Sequence, residues 1–181
     1  MADIFISSSL KDIEWVKRIQ DHLAPLLKKK NLSLWSYDLI YPGENWQESI
    51  ERAIKESQVI IVLISSHYLN SQLPEVELSL ILQKYQKDPI KVFPVIISPV
   101  SLSSVPTMLK TIQTIGSFSE SLSELPEQKQ EDALMKLAEM IDNSVLIKQT
   151  NVFDVRGAKI GNITGNIFVN ATNELAKNND Q

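Results

Sequence analysis

The side chains that could do chemistry in this chain lie just after its predicted β-strands. They include the hydroxyls of Ser7, Ser8 and Ser9 and the carboxylate of Asp38. Ligands of a parallel sheet bind beyond the carboxyl ends of its strands, so we expect these groups to line one cleft. Glu77 falls in the first turn of a helix that follows a later strand, where the helix dipole favours an ionised carboxylate.

The residue types that are missing narrow the possible chemistry to carboxylates and hydroxyls. The chain has no cysteine, which excludes disulfides, thiol nucleophiles and cysteine-bound zinc. His22 and His67 are its only histidines, and neither has a companion for a metal site or a nucleophilic triad. Glycine-rich dinucleotide loops, the Walker motif and the Gly-x-Ser-x-Gly elbow are all absent from the sequence.

Length and charge indicate a single globular domain with a short extension. The 181 residues carry 18 basic and 22 acidic side chains, and this net charge of −4 argues against general binding to nucleic acid. No apolar run approaches the roughly 20 residues of a membrane-spanning helix. The N-terminus carries an acid where a signal peptide has basic residues. We therefore expect a soluble, cytoplasmic protein that does not bind membranes.

Strand and helix patterns alternate along the chain. The third predicted strand, 59–64, is a continuous apolar run, which is typical of a strand covered on both faces. Pro25 predicts that the first helix ends or kinks near residues 22–24. The predicted strands are 4–6, 32–37, 59–64, 92–97 and 111–118, and the predicted helices are 13–24, 46–54, 74–86 and 127–141. This order predicts an α/β fold with a mainly parallel five-stranded sheet and helices on both faces.

Three segments of the chain together resemble the TIR domain, the Toll/interleukin-1 receptor homology module. Residues 3–7, Asp-Ile-Phe-Ile-Ser, are similar to the first sequence box of that family. Residues 38–46 resemble its BB loop, with Pro42 and Gly43 in place and an aromatic residue after them. Residues 66–78 resemble the entry to the third helix of the family, Ser-x-Trp-x-x-x-Glu-Leu.

The resemblance covers about residues 2–143. We therefore assign residues 1–143 to a TIR domain and residues 144–181 to a C-terminal tail. The resemblance implies the flavodoxin-like fold of that family, and its style is closer to prokaryotic TIR proteins than to animal receptor adaptors.

The resemblance also implies an enzymatic activity and a catalytic residue. In the TIR enzymes a glutamate of the third-helix motif catalyses cleavage of NAD+, and the matching residue here is Glu77. Loss of nicotinamide leaves positive charge on the ribose, which one nearby carboxylate can stabilise. NAD+ would be the substrate, no separate cofactor is implied, and the product would be ADP-ribose or a cyclic isomer. The alternative is an ordinary helix-end acid, such as Glu75 in the same turn.

An NAD+ site and a contact between domains follow from the same resemblance. The predicted substrate-binding residues are Ser7, Ser8, Ser9, Asp38, Gly43, Trp46 and Leu73. Two of them have equally simple structural roles, because Asp38 can start a turn and Trp46 can anchor the core. Pro42 and Gly43 are also expected to contact a second TIR domain.

Two departures from the enzyme pattern leave other functions open. Leu73 stands where enzymatic TIR domains usually carry a tryptophan, and Ser8 stands where the family usually has an aromatic residue. Leucine offers an apolar wall without a face for stacking. One alternative is therefore a non-enzymatic scaffold that acts by TIR–TIR contacts. Another is a module that binds NAD-derived ligands without turnover.

The tail carries a short repeat that predicts assembly. Gly-Asn-Ile occurs at 161–163 and again at 165–167, and residues 160–173 carry no charge. Such Asn- and Gly-rich, uncharged sequences suit stacked cross-β ladders, and this one resembles amyloid-type signalling motifs of immune effectors. The predicted assembly residues are Ile160, Gly161, Asn162, Ile163, Gly165, Asn166 and Ile167. They would meet other copies or an upstream sensor, so that oligomerisation activates the protein in bacterial immune signalling or cell death. The alternatives are a disordered tail and an added β-hairpin.

Overall fold

The computed structural model describes residues 3–40, 43, 45–71, 73–88 and 90–145, apart from the side chains of residues 73–76. These residues belong to the first of two units of the chain, Met1–Leu146, and the second unit is Ile147–Gln181. Pro42 and the assembly residues predicted in the tail, 160–167, lie outside the described residues.

A parallel sheet forms the centre of the domain, and its strand order is β2-β1-β3-β4. The strands are β1 (Ile4–Ser7), β2 (Leu34–Ser36), β3 (Val59–Ile64) and β4 (Lys91–Ile96). Every neighbouring pair is parallel. This confirms the predicted α/β class and the parallel sheet.

The fifth predicted strand, 111–118, is reduced to a single bridge beside β4. Ile115 pairs with Val95. Its backbone N–H donates to the Pro94 carbonyl, and its carbonyl accepts from the Ile96 N–H. Gly116 follows with φ +79°, a conformation that ends the extended path. The described sheet therefore has four strands, with Ile115 in the position of the fifth.

Helices cover both faces of the sheet, as predicted. Alternate residues of β1 face opposite sides: Ile4 and Ile6 join a core with α1 and α6, while Phe5 joins a core with α2 and α4. The helices are α1 (Ile13–Lys30), α2 (Trp46–Glu56), α3 (Ser66–Leu69), α4 (Leu73–Lys87), α5 (Thr107–Lys110) and α6 (Glu127–Asp142).

Of the two outcomes predicted near residues 22–24, an end of the first helix is wrong, because α1 continues through Pro25 to Lys30, and a kink stays a prediction. Pro25 is exposed, so the carbonyl that loses its helical hydrogen bond is on the solvent side. Leu23 and Leu26 on either side are buried in the core and hold the helix in place. Packing therefore overrides the local effect of proline.

One lysine ties α4 to the end of α2. The ammonium of Lys84, on α4, donates to three backbone carbonyls at the carboxyl end of α2, those of Ile54, Lys55 and Ser57. A cation is favourable there because the last carbonyls of a helix have no partner within it. This contact fixes the helix that carries Glu77 against α2.

Candidate active site

Three buried side chains from three elements meet at the carboxyl end of β1. Ser7 is the last residue of β1, Tyr68 lies on α3, and Glu77 lies on α4. The Ser7 hydroxyl donates to Glu77 Oε2 at 2.6 Å and lies 2.9 Å from the Tyr68 hydroxyl. The predicted cleft residues Ser7 and Glu77 are thus in direct contact, although they are 70 positions apart in the sequence.

Burial dominates the electrostatics of Glu77. Its side chain is 1% exposed, and Oε1 has no hydrogen-bond partner among the described residues. Burial raises the pKa of the carboxyl from 4.5 to about 7, and the hydrogen bond from Ser7 opposes part of that rise. At neutral pH the group is therefore poised between its protonated and ionised forms.

The expectation that the helix dipole keeps Glu77 ionised is wrong. The helix α4 begins at Leu73, so that Glu77 is its fifth residue and lies beyond the first turn. The dipole acts mainly within that first turn. Desolvation therefore decides the proton affinity of this carboxyl.

Tyr68 is held in place by a capping network that the sequence did not reveal. The backbone N–H of Tyr68 donates to Ser65 Oγ at 2.9 Å, which caps the short helix α3. The Ser65 hydroxyl in turn donates to the buried carboxylate of Asp12 at 2.6 Å. Ser65 directly follows β3, the strand that pairs with β1, and Tyr68 comes three residues later. That spacing is the sequence signal that could have predicted a capped turn carrying Tyr68.

Asp12 lies immediately before α1, in the position of a helix N-cap, yet its side chain makes no capping bond there. Ser9 instead accepts from the Lys11 backbone N–H and caps the short turn that precedes α1. Ser8 and Ser9 are both buried. Their predicted contact with a substrate stays a prediction.

The predicted site residues of the segment 38–46 that the structure describes are exposed. Asp38 is exposed and accepts a hydrogen bond from the Ser36 hydroxyl, which confirms its role in a turn. Gly43 has φ +94°, a conformation that favours glycine. Trp46 is 50% exposed, so its alternative role as a core anchor is wrong. Their substrate contacts stay predictions.

The helix after this loop begins as its sequence predicts. The Asn45 side chain accepts from the N–H groups of Gln47 and Glu48, and it donates to the Glu48 carboxylate. Ile50, Ala53 and Ile54 bury the inner face of α2. The first residue of α4 is Leu73, whose side chain lies outside the described part.

Within the described ranges, no group of three or more His, Asp or Glu side chains is arranged to hold a metal ion. No helix among those residues is long and apolar enough to cross a membrane. His22 contacts the Glu131 carboxylate at 2.7 Å between α1 and α6, and His67 is exposed.

A family model described as the TIR domain matches residues 4–137. The comparison with curated proteins finds no match. Among solved structures, the TIR domain of the Toll-related receptor TRR-2 from Hydra magnipapillata superposes with a TM-score of 0.55 at 17% identity, covering 79% of this chain and 99% of that chain. The TIR domains of the activated Roq1 resistosome give 0.46 at 24% identity, covering 77% and 85%. The RPS4 and RRS1 TIR heterodimer gives 0.49 at 13% identity, covering 80% and 98%.

Proposed function

This chain belongs to the TIR domain family, and from that membership we propose that it cleaves the nicotinamide–ribose bond of NAD+ with Glu77 as the essential carboxylate. The observation that supports the proposal most directly is the burial and hydrogen bonding of the Glu77 side chain. Glu77 is buried at the carboxyl end of β1, with one oxygen bound by Ser7 and the other without a partner among the described residues. Such a strongly perturbed carboxyl at a strand end is typical of a functional site.

The chemistry needs one anion and no separate cofactor. When the glycosidic C–N bond breaks, its electron pair leaves with nicotinamide and positive charge develops on the ribose. An ionised Glu77 stabilises that charge strongly because it lies in a site from which water is excluded. Water then forms a bond to the ribose carbon and releases a proton to solvent, which gives ADP-ribose; if a nitrogen of the adenine in the same molecule forms that bond instead, a proton is likewise released and the product is a cyclic isomer.

The burial of Glu77 supports activation by oligomerisation. A carboxyl that is 1% exposed in the single chain must be uncovered before NAD+ can reach it. Trp46 and Leu39, which are 50% and 43% exposed, flank the segment 41–44 in the sequence and offer apolar surface for a second chain. We assign Pro42 and Gly43 to this contact, and the tail repeat at 160–167 to self-assembly or to binding an upstream sensor.

The remaining predicted residues would complete the NAD+ site. Ser8, Ser9, Asp38, Gly43 and Leu73 follow the strand ends from which ligands of a parallel sheet are bound, and exposed Trp46 offers a ring for stacking. The protein as a whole would be a cytoplasmic effector of prokaryotic type, acting in bacterial immune signalling or cell death.

The same burial favours a second candidate, a non-enzymatic TIR scaffold. In that case Glu77 only anchors α4 to β1 through Ser7, and Leu73 reflects a site that no longer binds nicotinamide. The exposed aromatic Trp46 would then serve assembly alone.

The test is nicotinamide release from NAD+ over a wide range of protein concentration, with and without a crowding agent, while light scattering reports assembly. The variants are wild type, Glu77→Gln and, as a matched control, Glu139→Gln on the exposed face of α6. We expect turnover that rises with assembly, is lost in Glu77→Gln and is kept in Glu139→Gln. An assembled wild type that releases no nicotinamide would reject the enzyme and support the scaffold.

A further inference from the structure

The contacts of Ser7 fix the direction of a short chain of hydrogen bonds. A serine hydroxyl has one proton to donate, and that of Ser7 points to Glu77 Oε2 at 2.6 Å. The second contact of Ser7 Oγ, with the Tyr68 hydroxyl at 2.9 Å, must then be one in which Tyr68 donates. The two hydrogen bonds therefore run in one direction: Tyr68 donates to Ser7, and Ser7 donates to Glu77.

We infer that Tyr68 is a positioning residue for Glu77 that acts through Ser7: its hydroxyl orients the Ser7 proton onto Oε2, which favours the ionised form of the carboxylate and leaves Oε1 as the oxygen free to face a substrate. The hydrogen-bond part of this inference needs only the geometry. Its catalytic consequence rests on the proposed function of Glu77.

Reversing the chain of hydrogen bonds would be unfavourable. A proton on Oε2 would have to be donated to Ser7, which would turn its own proton towards Tyr68. The Tyr68 hydroxyl is fully buried, and its only hydrogen-bond contact among the described residues is Ser7, so its proton would lose its acceptor. Burial also raises the pKa of Tyr68 far above its usual value, so this hydroxyl stays protonated and remains a donor.

No described cation pairs with Glu77, so these hydroxyls are its means of holding a negative charge. Tyr68 on α3 reaches the carboxyl through Ser7, and the backbone of Tyr68 is linked through Ser65 to the carboxylate of Asp12. Lys84, which is also on α4, donates to backbone carbonyls at the end of α2 and not to Glu77. The hydrogen bond from Ser7 is the one stabilising contact of the carboxylate that the described residues supply, and it lowers the pKa of Glu77 against the effect of burial.

The test is a pH titration of the Glu77 side chain in full-length protein, monitored by NMR of ¹³C-labelled glutamate. The Glu77→Gln variant assigns the signal, because that signal is missing from its spectrum. The variants are Tyr68→Phe, Ser7→Ala and the double variant. Tyr37→Phe is the matched control, because the Tyr37 hydroxyl is also buried but has no hydrogen-bond partner among the described residues. The substitution of tyrosine by phenylalanine keeps the volume of the ring, so these variants test the hydroxyl alone.

We expect Tyr68→Phe to raise the titration midpoint of Glu77 by roughly half to one pH unit and Ser7→Ala to raise it by about one to two. Adding Tyr68→Phe to Ser7→Ala should move the midpoint no further, because the effect passes through Ser7. Tyr37→Phe should leave the midpoint at its wild-type value.

Two results would overturn the inference. One is a midpoint in Tyr68→Phe that equals that of the wild type. The other is a shift caused by Tyr68→Phe that is as large in the Ser7→Ala background as in the wild type. The titration separates this inference from the proposed function. If the midpoints move as expected while the assembled protein releases no nicotinamide, the chain of hydrogen bonds stands and the enzyme proposal fails. If both stand, the pH at which NAD+ cleavage is half-maximal should rise with the midpoint in Tyr68→Phe.

Discussion

Replacing Glu77 by glutamine should stabilise the protein in a way that depends on pH. Glutamine has nearly the same shape and keeps an oxygen that can accept from Ser7 at the position of Oε2. It cannot ionise, so it resembles the protonated acid at every pH. The variant therefore isolates the free energy of placing a negative charge in this buried site.

The magnitude follows from the raised pKa of Glu77. Between pH 4.5 and about 7 the folded chain holds a proton that the unfolded chain has released, so the free energy of unfolding falls as pH rises through that window. At about 1.4 kcal/mol for each pKa unit, the wild type loses about 3 kcal/mol from this group. The stability advantage of Glu77→Gln should thus be near zero at about pH 4 and should approach about 3 kcal/mol at about pH 8.

The assay is urea denaturation of both proteins at a series of pH values, with the free energy of unfolding obtained by linear extrapolation. The surface carboxylates Glu131 and Asp142, whose pKa values are lowered by basic partners, affect both proteins equally and cancel in the difference. Glu139→Gln serves as the control, because it removes one carboxylate from the exposed face of α6, away from the buried site.

A difference between Glu77→Gln and wild type that stays constant across the series would refute the reasoning, since burial would then not set the proton affinity of Glu77. A wild type that gains stability relative to the variant as pH rises would refute it more strongly. That result would mean that contacts favouring the ionised carboxylate outweigh the effect of burial.

Three further predictions test the loop, the helix contact and the fold. Trp46→Ala should change the free energy of unfolding by less than about 0.5 kcal/mol, because the side chain is exposed, yet it should weaken NAD+ cleavage. Trp35→Ala should lower the free energy of unfolding by about 2–4 kcal/mol, because the Trp35 ring packs against two core aromatics. Urea denaturation measures the stability of both variants, and nicotinamide release measures their activity. Lys84→Met should cost about 1–3 kcal/mol by the same denaturation assay because the end of α2 loses its donor, while exposed Lys87→Met should change little. Pro25→Ala should raise the free energy of unfolding by about 1–3 kcal/mol, because it restores a helical N–H at an exposed position of α1; an unchanged value would contradict that account.

The sheet and most helices could be predicted because their signals are local. The continuous apolar run of β3 and the Asn45 cap of α2 each depend on a few neighbouring residues. The contact between Ser7 and Glu77 could also be anticipated in outline, because strand ends and the helices that follow them meet at one edge of a parallel sheet.

The features that the sequence missed depend on packing between distant segments. Tyr68 joins the site only because α3 packs beside the end of β1, and Asp12 turns inward because Ser65 supplies its donor. The pKa of Glu77 follows from desolvation, which a helix position alone does not reveal. Pro25 stays within α1 because the buried leucines around it stabilise the helix by more than proline destabilises it.

The most direct test of the central claim, that Glu77 is the carboxylate that cleaves NAD+, is nicotinamide release by assembled protein as a function of pH. Because cleavage needs the ionised carboxylate and burial raises the pKa of Glu77, the rate of the wild type should rise with pH as this carboxyl loses its proton. Glu77→Gln should release no nicotinamide above the background of NAD+ alone. An assembled wild type without turnover, or a Glu77→Gln variant that matches it, would contradict the account.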